Sequence, residues 1–345
     1  LHILTVADLI SYRLAKERLI ERGEDTSLPT THGNFRAVGY RTLIDTKEHV
    51  ALVMEVERLP TTGESVHGHG YFQTHGGKGS NMAVQAARLG ARCSYVGRVG
   101  NDDTGERFHR LLEEEGIDAT QLRRQPDAAT GVGFVMLGPG GQNIISIDSG
   151  PNAAFSPQDV EQAAAAWQPP TTVVTQLEIP LDTALHAMRA GAERGLTTVL
   201  NPAPAQPLLD RDLAQVSVIT PNETEARVCL GVDAAAEADE EELGRRLLEL
   251  GCAAVLVTLG ERGCLCVTAN GAEPVAGYPV ADVVDTTGAG DAFNAALAVA
   301  LSEGSSLTEA ARFANAAAAL CCTKLDTLPS YHTREQVEQF RAERR

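Results

Sequence analysis

Apolar residues recur at helical spacing through 6–22, at Ala7, Leu9, Ile10, Leu14, Leu19 and Ile20, with charge between them. That spacing predicts an amphipathic helix, and the polar stretch 23–34 reads as a linker after it. Short apolar runs at 35–39 and 50–56 and a loosely alternating stretch at 65–74 predict extended segments. A helix follows over 82–89, then a strand over 93–99 and a helix over 105–115. The runs 131–137 and 143–147 flank Gly138-Pro139-Gly140-Gly141 and predict a hairpin. From Pro157 the alternation is regular. Helices are predicted over 157–167, 181–194, 223–230 and 240–250, and strands over 171–176, 197–200, 216–220 and 253–258. This is the pattern of an α/β fold with a mostly parallel central sheet, covered by helices on both faces.

Binding sites in such sheets form at the carboxyl ends of the strands. Five polar or glycine-containing segments fall there: 176–178, 201–204, 220–225, 258–263 and 285–293. The last is the most informative. Asp285-Thr286-Thr287-Gly288-Ala289-Gly290-Asp291-Ala292-Phe293 lies between a strand-like run, 278–284, and a helix-like run, 292–301. Two glycines flanking an alanine allow a tight turn that gathers backbone N–H groups into one concavity. A helix starting there adds free N–H groups and a partial positive charge, which makes a cradle for a phosphate-like anion. A carboxylate at its rim opposes a bound anion. Asp291 therefore reads as a base that takes a proton from a hydroxyl attacking phosphorus. The competing reading is a helix N-cap.

Composition narrows the partners. The chain has 345 residues, 43% hydrophobic and only 4% aromatic, so its core rests on Ala, Val and Leu. A formal charge of -17 and a pI near 5.0 exclude nucleic acid or an anionic membrane as the main partner. The seven cysteines are scattered with no C-x-x-C spacing, the pattern of reduced thiols in a cytoplasmic protein. Cys264 and Cys266 alternate as strand residues do and share a face. No apolar run reaches membrane-spanning length.

With these segments in place, the sequence resembles the ribokinase-like, or PfkB, family of carbohydrate kinases. One family signature is Gly76-Gly77-Lys78-Gly79-Ser80-Asn81 running into 83–90; the other is the nonapeptide 285–293. The glycine-lysine form of the first is closest to the ribokinase branch. The resemblance implies a kinase domain over 35–345, a three-layer α/β/α body, and a small β-sheet lid from strands within about 50–75 and 130–148. It leaves 1–34 as an N-terminal helical extension and linker. It makes Asp291 the catalytic base and Gly288, Ala289 and Gly290 the anion hole. Gly76, Gly77, Lys78, Gly79, Asn81 and Glu178 become sugar ligands together with Asp291.

The same resemblance assigns Asn222 and Glu225 to magnesium and phosphate placement. Thr258, Gly260, Glu261 and Gly263 form the ATP-binding turn, Gly290 meets the nucleotide phosphates, and Asn315 neighbours adenine. Asp285, Thr287 and Ser330 match a monovalent-cation site, implying potassium. That site uses mainly backbone carbonyls, and Asp326 stands near where the family usually has Gly. The family's N-terminal sugar-binding aspartate has only Asp45 as a counterpart when counted forward from Gly39; counting backward from Leu59-Pro60 reaches Ala51. The implied reaction is ATP-dependent phosphorylation of a primary hydroxyl, with ribose to ribose 5-phosphate first. A nucleoside kinase, phosphofructokinase activity and a non-catalytic sugar-sensing regulator stand as alternatives. The lid implies a homodimer.

Overall fold

The computed structural model describes residues 20–30, 33–42, 51–61, 63–139, 143–233 and 239–344. Residues 1–47 and 48–345 form two separate units. In the first, β1 (Ile20–Thr30) and β2 (Gly33–Thr42) pair antiparallel, with Thr30 opposite Gly33. The expected linker over 23–34 is thus a strand and the start of its partner. The helix expected through Arg22 gives way to strand at Ile20. Thr26, Thr30, Val38, Tyr40 and Thr42 favour pleated backbone, and cross-strand pairing satisfies peptide groups that a linker leaves to water. The rest of that helix and Asp45 lie outside the described residues.

The second unit begins with β3 (Ala51–Val56) and β4 (Gly68–Thr74), then α1 (Lys78–Arg88), β5 (Ser94–Gly100), α2 (Asp103–Glu114) and β6 (Asp118–Gln125). The strands β7 (Val132–Leu137) and β8 (Asn143–Asp148) form the expected hairpin. They complete a four-stranded sheet in the order β4-β3-β7-β8, in the segments expected for the lid. A parallel pair, β5 and β6, stands beside the main body.

Next come α3 (Pro157–Ala164), β9 (Thr172–Thr175), α4 (Leu181–Ala192), β10 (Thr197–Leu200), β11 (Val218–Ile219), α5 (Glu223–Cys229), α6 (Glu240–Leu248) and β12 (Ala254–Thr258). The strands β13 (Gly263–Thr268) and β14 (Gly271–Ala276) follow, then α7 (Ala289–Ser302), α8 (Leu307–Cys321), α9 (Thr327–Ser330) and α10 (Arg334–Ala342). The central sheet runs β14-β13-β12-β11-β10-β9. The strands β9 to β12 are parallel and β13 and β14 antiparallel.

Alternation along β12 assigns the layers. Ala254 and Leu256 pack with Phe293, Leu297 and Phe313 on one side, in a cluster that also holds Cys264 and Cys266. Val255 and Val257 pack with Met188, Leu243 and Leu247 on the other. The result is three layers with two apolar seams, each large buried side chain contributing about 1.5–3 kcal/mol. The run 278–284, expected to be a strand, is irregular and mostly exposed. Pro279 removes a ladder donor there, and β14 takes the strand's place before the nonapeptide. The strand β6 had no clear signal; only Ala119 and Leu122 of its eight residues are buried.

Candidate active site

Because β9 to β12 are parallel and two reversals restore β14 to their direction, the carboxyl ends of all five meet one edge of the sheet. The cradle is built first by Gly288. Its φ of 80° is left-handed, and it caps the N-terminus of α7. An added Cβ would stand 2.6 Å from the Tyr331 hydroxyl and 3.0 Å from Thr327 Cγ2, so only glycine fits. Gly290 has open space where a Cβ would point. Its carbonyl accepts from Asn294 Nδ2 at 2.8 Å, and Asn294 Oδ1 accepts from the Thr220 hydroxyl at 2.6 Å. The turn is thereby tied to the end of β11.

Asp291 lies in the first turn of α7, only 5% exposed. Its Oδ2 accepts from Asn81 Nδ2 at 2.8 Å. The N-cap of this helix is Gly288, so capping does not account for Asp291. Burial raises its pKa above the ordinary carboxylate value; the Lys78 charge and the Asn81 hydrogen bond pull the other way without cancelling it.

The glycine-lysine segment is not all loop. The helix α1 begins at Lys78, so Lys78, Gly79, Ser80 and Asn81 occupy its first turn. Gly77 sits at φ 105°, and the Ser80 hydroxyl reaches back to the Gly76 and Gly77 carbonyls, 2.9 Å each. Glu178, at the end of β9, accepts the Lys78 N–H at 2.8 Å, a carboxylate placed on a helix N-terminus from another element. A Cβ on Gly79 would come within 3.3 Å of Gln176 Nε2 and of the Tyr95 hydroxyl. Burial raises the Glu178 pKa, against the Lys78 N–H and charge, and nearby Asp291 adds to the rise.

Beside Glu178 a cavity of about 310 Å³ is lined by Ile147, Leu177, Pro180 and Pro204. Ile147 comes from β8, so the four-stranded sheet forms one wall. A larger cavity of about 420 Å³, between α4 and residues 210–216, shares no residue with the site.

Asn222 and Glu225 form a reciprocal cap on α5: Asn222 Oδ1 accepts from the Glu225 N–H at 2.8 Å, and Glu225 Oε2 from the Asn222 N–H at 2.9 Å. Burial raises the Glu225 pKa, and the Lys78 and Asp291 charges both act on it. Thr258 bridges to Asn222 as an isolated parallel pair, so the ends of β11 and β12 are joined. Gly260 at φ 60° and Gly263 at φ 92° shape the next turn, where the Gly263 carbonyl accepts the Leu259 N–H at 2.8 Å; Glu261 is exposed. Asn315 lies deeper. Its Nδ2 donates to the Val275 and Ala276 carbonyls at 3.0 and 3.1 Å, which fixes the end of β14.

Asp285 accepts from the Thr287 N–H and hydroxyl at 2.9 and 2.7 Å and from the Asp326 N–H at 2.9 Å. Ser330, fully buried, donates to the Thr327 carbonyl at 2.6 Å. Two buried acceptors at this edge, Asn81 Oδ1 and Asn201 Oδ1, have no partner. Asn201 and Gln176 were visible from sequence only as members of strand-end segments. Asn294 gave a single signal, its place one turn after the glycine it holds.

A buried carboxylate beside an amide cradle, with a glycine-lysine turn hydrogen-bonded to it, defines a carbohydrate kinase: a phosphotransferase with an alcohol acceptor. The pfkB family carbohydrate kinase model matches residues 42–334, and the chain belongs to that family. It is 36% identical over 288 residues to the ribokinase of Haemophilus influenzae, covering 84% of this chain and 94% of that one. It is 37% identical over 286 residues to the mouse ribokinase, covering 81% and 88%. The solved structure of Arabidopsis thaliana ribokinase complexed with ribose and ATP matches at a TM-score of 0.73 and 32% identity, over 85% of this chain and 96% of that one.

Proposed function

We propose that the chain transfers the γ-phosphoryl group of ATP to the primary hydroxyl of ribose, giving ribose 5-phosphate and ADP. The observation that carries this reading is the Asn81–Asp291 hydrogen bond, which puts the buried carboxylate against the glycine-lysine turn and at the mouth of the amide cradle. The Asp291 carboxylate takes the hydroxyl proton as the new O–P bond forms and the bond to the β-phosphate oxygen breaks. First-turn N–H groups at Gly288–Gly290 take up charge on the transferred group. Gly76, Gly77, Lys78, Gly79, Asn81 and Glu178 hold the sugar, Asn81 through its unpartnered Oδ1, which suits a hydroxyl donor. Ile147, 54% exposed at the edge of the cavity, is placed to cover a bound sugar.

The nucleotide takes the turn of Thr258, Gly260, Glu261 and Gly263, with Asn315 supporting the β14 end beside it. Asn222 and Glu225 would hold hydrated magnesium. Glu225 fits: it lies in the same electrostatic cluster as Asp291, and one carboxylate oxygen is free of the cap. When bound, that ion neutralises phosphate charge. Potassium would sit at Asp285, Thr287 and Ser330. The Asp285 carboxylate is spent on hydrogen bonds, so carbonyl oxygens remain as donors, which suits a monovalent cation. Among the described residues no group of three His, Cys, Asp or Glu forms a metal cluster.

A homodimer through the outer lid face is supported by Phe134 and Ile144, 47% and 39% exposed, which share the face opposite Ile147. Seven free thiols support a cytoplasmic setting, and no helix of the described residues is long and apolar enough to cross a membrane. The test is ADP release with a panel of pentoses, hexoses and nucleosides, with and without magnesium and potassium. Ribose is expected to give the highest kcat/KM. Preference for a nucleoside, or binding without turnover, refutes the proposal.

A further inference from the structure

Asp326 is the one non-glycine residue with positive φ among the described residues. At φ 69° and ψ 164° it occupies a region almost reserved for glycine. Its side chain accounts for the exception. Oδ1 accepts from the Thr327 N–H at 2.7 Å, and Oδ2 accepts from the Thr74 hydroxyl at 2.5 Å, across 252 residues of chain. Thr74 ends the lid strand β4, two residues before Gly76. A parallel link runs from the Thr327 hydroxyl to the His75 carbonyl at 3.4 Å. On its other side the Asp326 N–H donates to Asp285, whose carboxylate also holds the Thr287 N–H and hydroxyl, one residue before Gly288. An unbroken chain of hydrogen bonds, Thr74–Asp326–Asp285–Thr287, therefore joins the lid strand to the phosphate cradle.

We infer that Asp326 is a positioning residue that latches the end of the lid strand to the cradle turn, so that the sugar turn and the phosphate-binding amides are held in mutual register. It touches neither substrate. Glycine would relieve the backbone at this position, but it would break the latch. The inference rests on the sugar-kinase reading for the meaning of the two loops, not for their connection.

The test uses Asp326→Gly, Thr74→Val and the double variant in the full chain. Each single variant is expected to fold with a Tm within a few degrees of wild type and to raise KM for ribose by about tenfold, the worth of one hydrogen bond to a charged acceptor. The double variant is expected to be no worse than either single one, because both break the same link. Asp326→Asn, which keeps an acceptor, is expected to recover part of the loss. A general packing defect would not produce that recovery. Ribose KM within twofold of wild type in either single variant, or effects that multiply in the double, overturns the latch. Should the wild-type chain phosphorylate no sugar, the kinase reading fails, and the latch is decided by hydrogen exchange. Asp326→Gly must then speed exchange of the 76–78 amides, and Thr74→Val that of the 286–288 amides. Unchanged rates at both places refute it.

Discussion

Replacing Asp291 by Asn separates a catalytic carboxylate from a structural one, because the two roles give opposite signs. The amide keeps the shape and can still accept from Asn81 Nδ2, now 2.8 Å from Oδ2. What it loses is basicity. General-base assistance contributes about 10²–10⁴ in rate, so turnover should fall by that factor, about 2.7–5.5 kcal/mol of transition-state stabilisation. Stability should move the other way. Burial holds the folded-state pKa of Asp291 above its ordinary 3.8. The folded chain therefore binds a proton more readily than the unfolded one, and the ionised carboxylate weakens the fold at any pH above the raised value. Below 3.8 the penalty vanishes, since both states are protonated. Asp291→Asn should thus equal wild type in stability at acid pH and exceed it at neutral pH. Coupled ADP release gives the first quantity, urea unfolding at several pH values the second, and ADP binding by calorimetry shows that the nucleotide site is intact. Turnover within tenfold of wild type would refute the base assignment, and lower stability at neutral pH would refute the raised pKa.

The same cluster predicts how activity responds to pH. The Lys78 charge opposes the raised pKa of Asp291, Glu178 and Glu225, so Lys78→Met should move the acid limb of kcat/KM to higher pH; an unmoved limb contradicts that coupling. Gly288→Ala forces a methyl to 2.6 Å from the Tyr331 hydroxyl at a φ of 80°, so it should cost roughly 1–3 kcal/mol in strain and lower both Tm and phosphoryl transfer. Asp159 is 2% exposed and bound by Arg98 at 2.8 Å and Arg123 at 2.7 Å. Asp159→Ala removes charged hydrogen bonds to Arg98 and Arg123, themselves 24% and 37% exposed, and should cost about 1–3 kcal/mol in urea unfolding while leaving KM for ATP unchanged, because it lies outside the site. Leu256→Ala, which empties a fully buried position between the layers, should cost about 2–5 kcal/mol by the same measurement.

The body of the fold was readable where the physics is local. Helices over 181–192, 223–229 and 240–248 and strands over 197–200 and 254–258 follow from apolar period and flanking polar residues, and they stand within a turn of where the pattern puts them. The nonapeptide was readable because a glycine-rich turn before a helix has few other uses. Misreadings occurred where a distant partner or a missing donor decides. The helix α1 starts at Lys78 rather than 82 because Glu178, 100 residues away, accepts its first N–H. The run 278–284 has strand composition but contains Pro279. The strand β6 is held by its parallel partner β5 more than by its own side chains. Residues 20–30 looked like helix and linker because Glu21, Arg22, Glu24 and Asp25 cluster around Gly23 and Pro29 follows, which masks a paired strand.

The site shows the same division more sharply. Each residue type was legible, and the pairs Asn222–Glu225 and Asp285–Thr287 are local, but the pairs that assemble the site are not: Lys78 meets Glu178 across 100 residues, Asn81 meets Asp291 across 210, and Thr74 meets Asp326 across 252. A carboxylate becomes a base with a raised pKa only when burial from the α1 side is complete. The chemistry is therefore a property of closure. A chain whose sheet and helices are formed but whose α1–α7 contact is open would present Asp291 as an ordinary solvated acid beside a bare helix N-terminus. Such a state could bind anions and could not strip a proton from an alcohol at the right place.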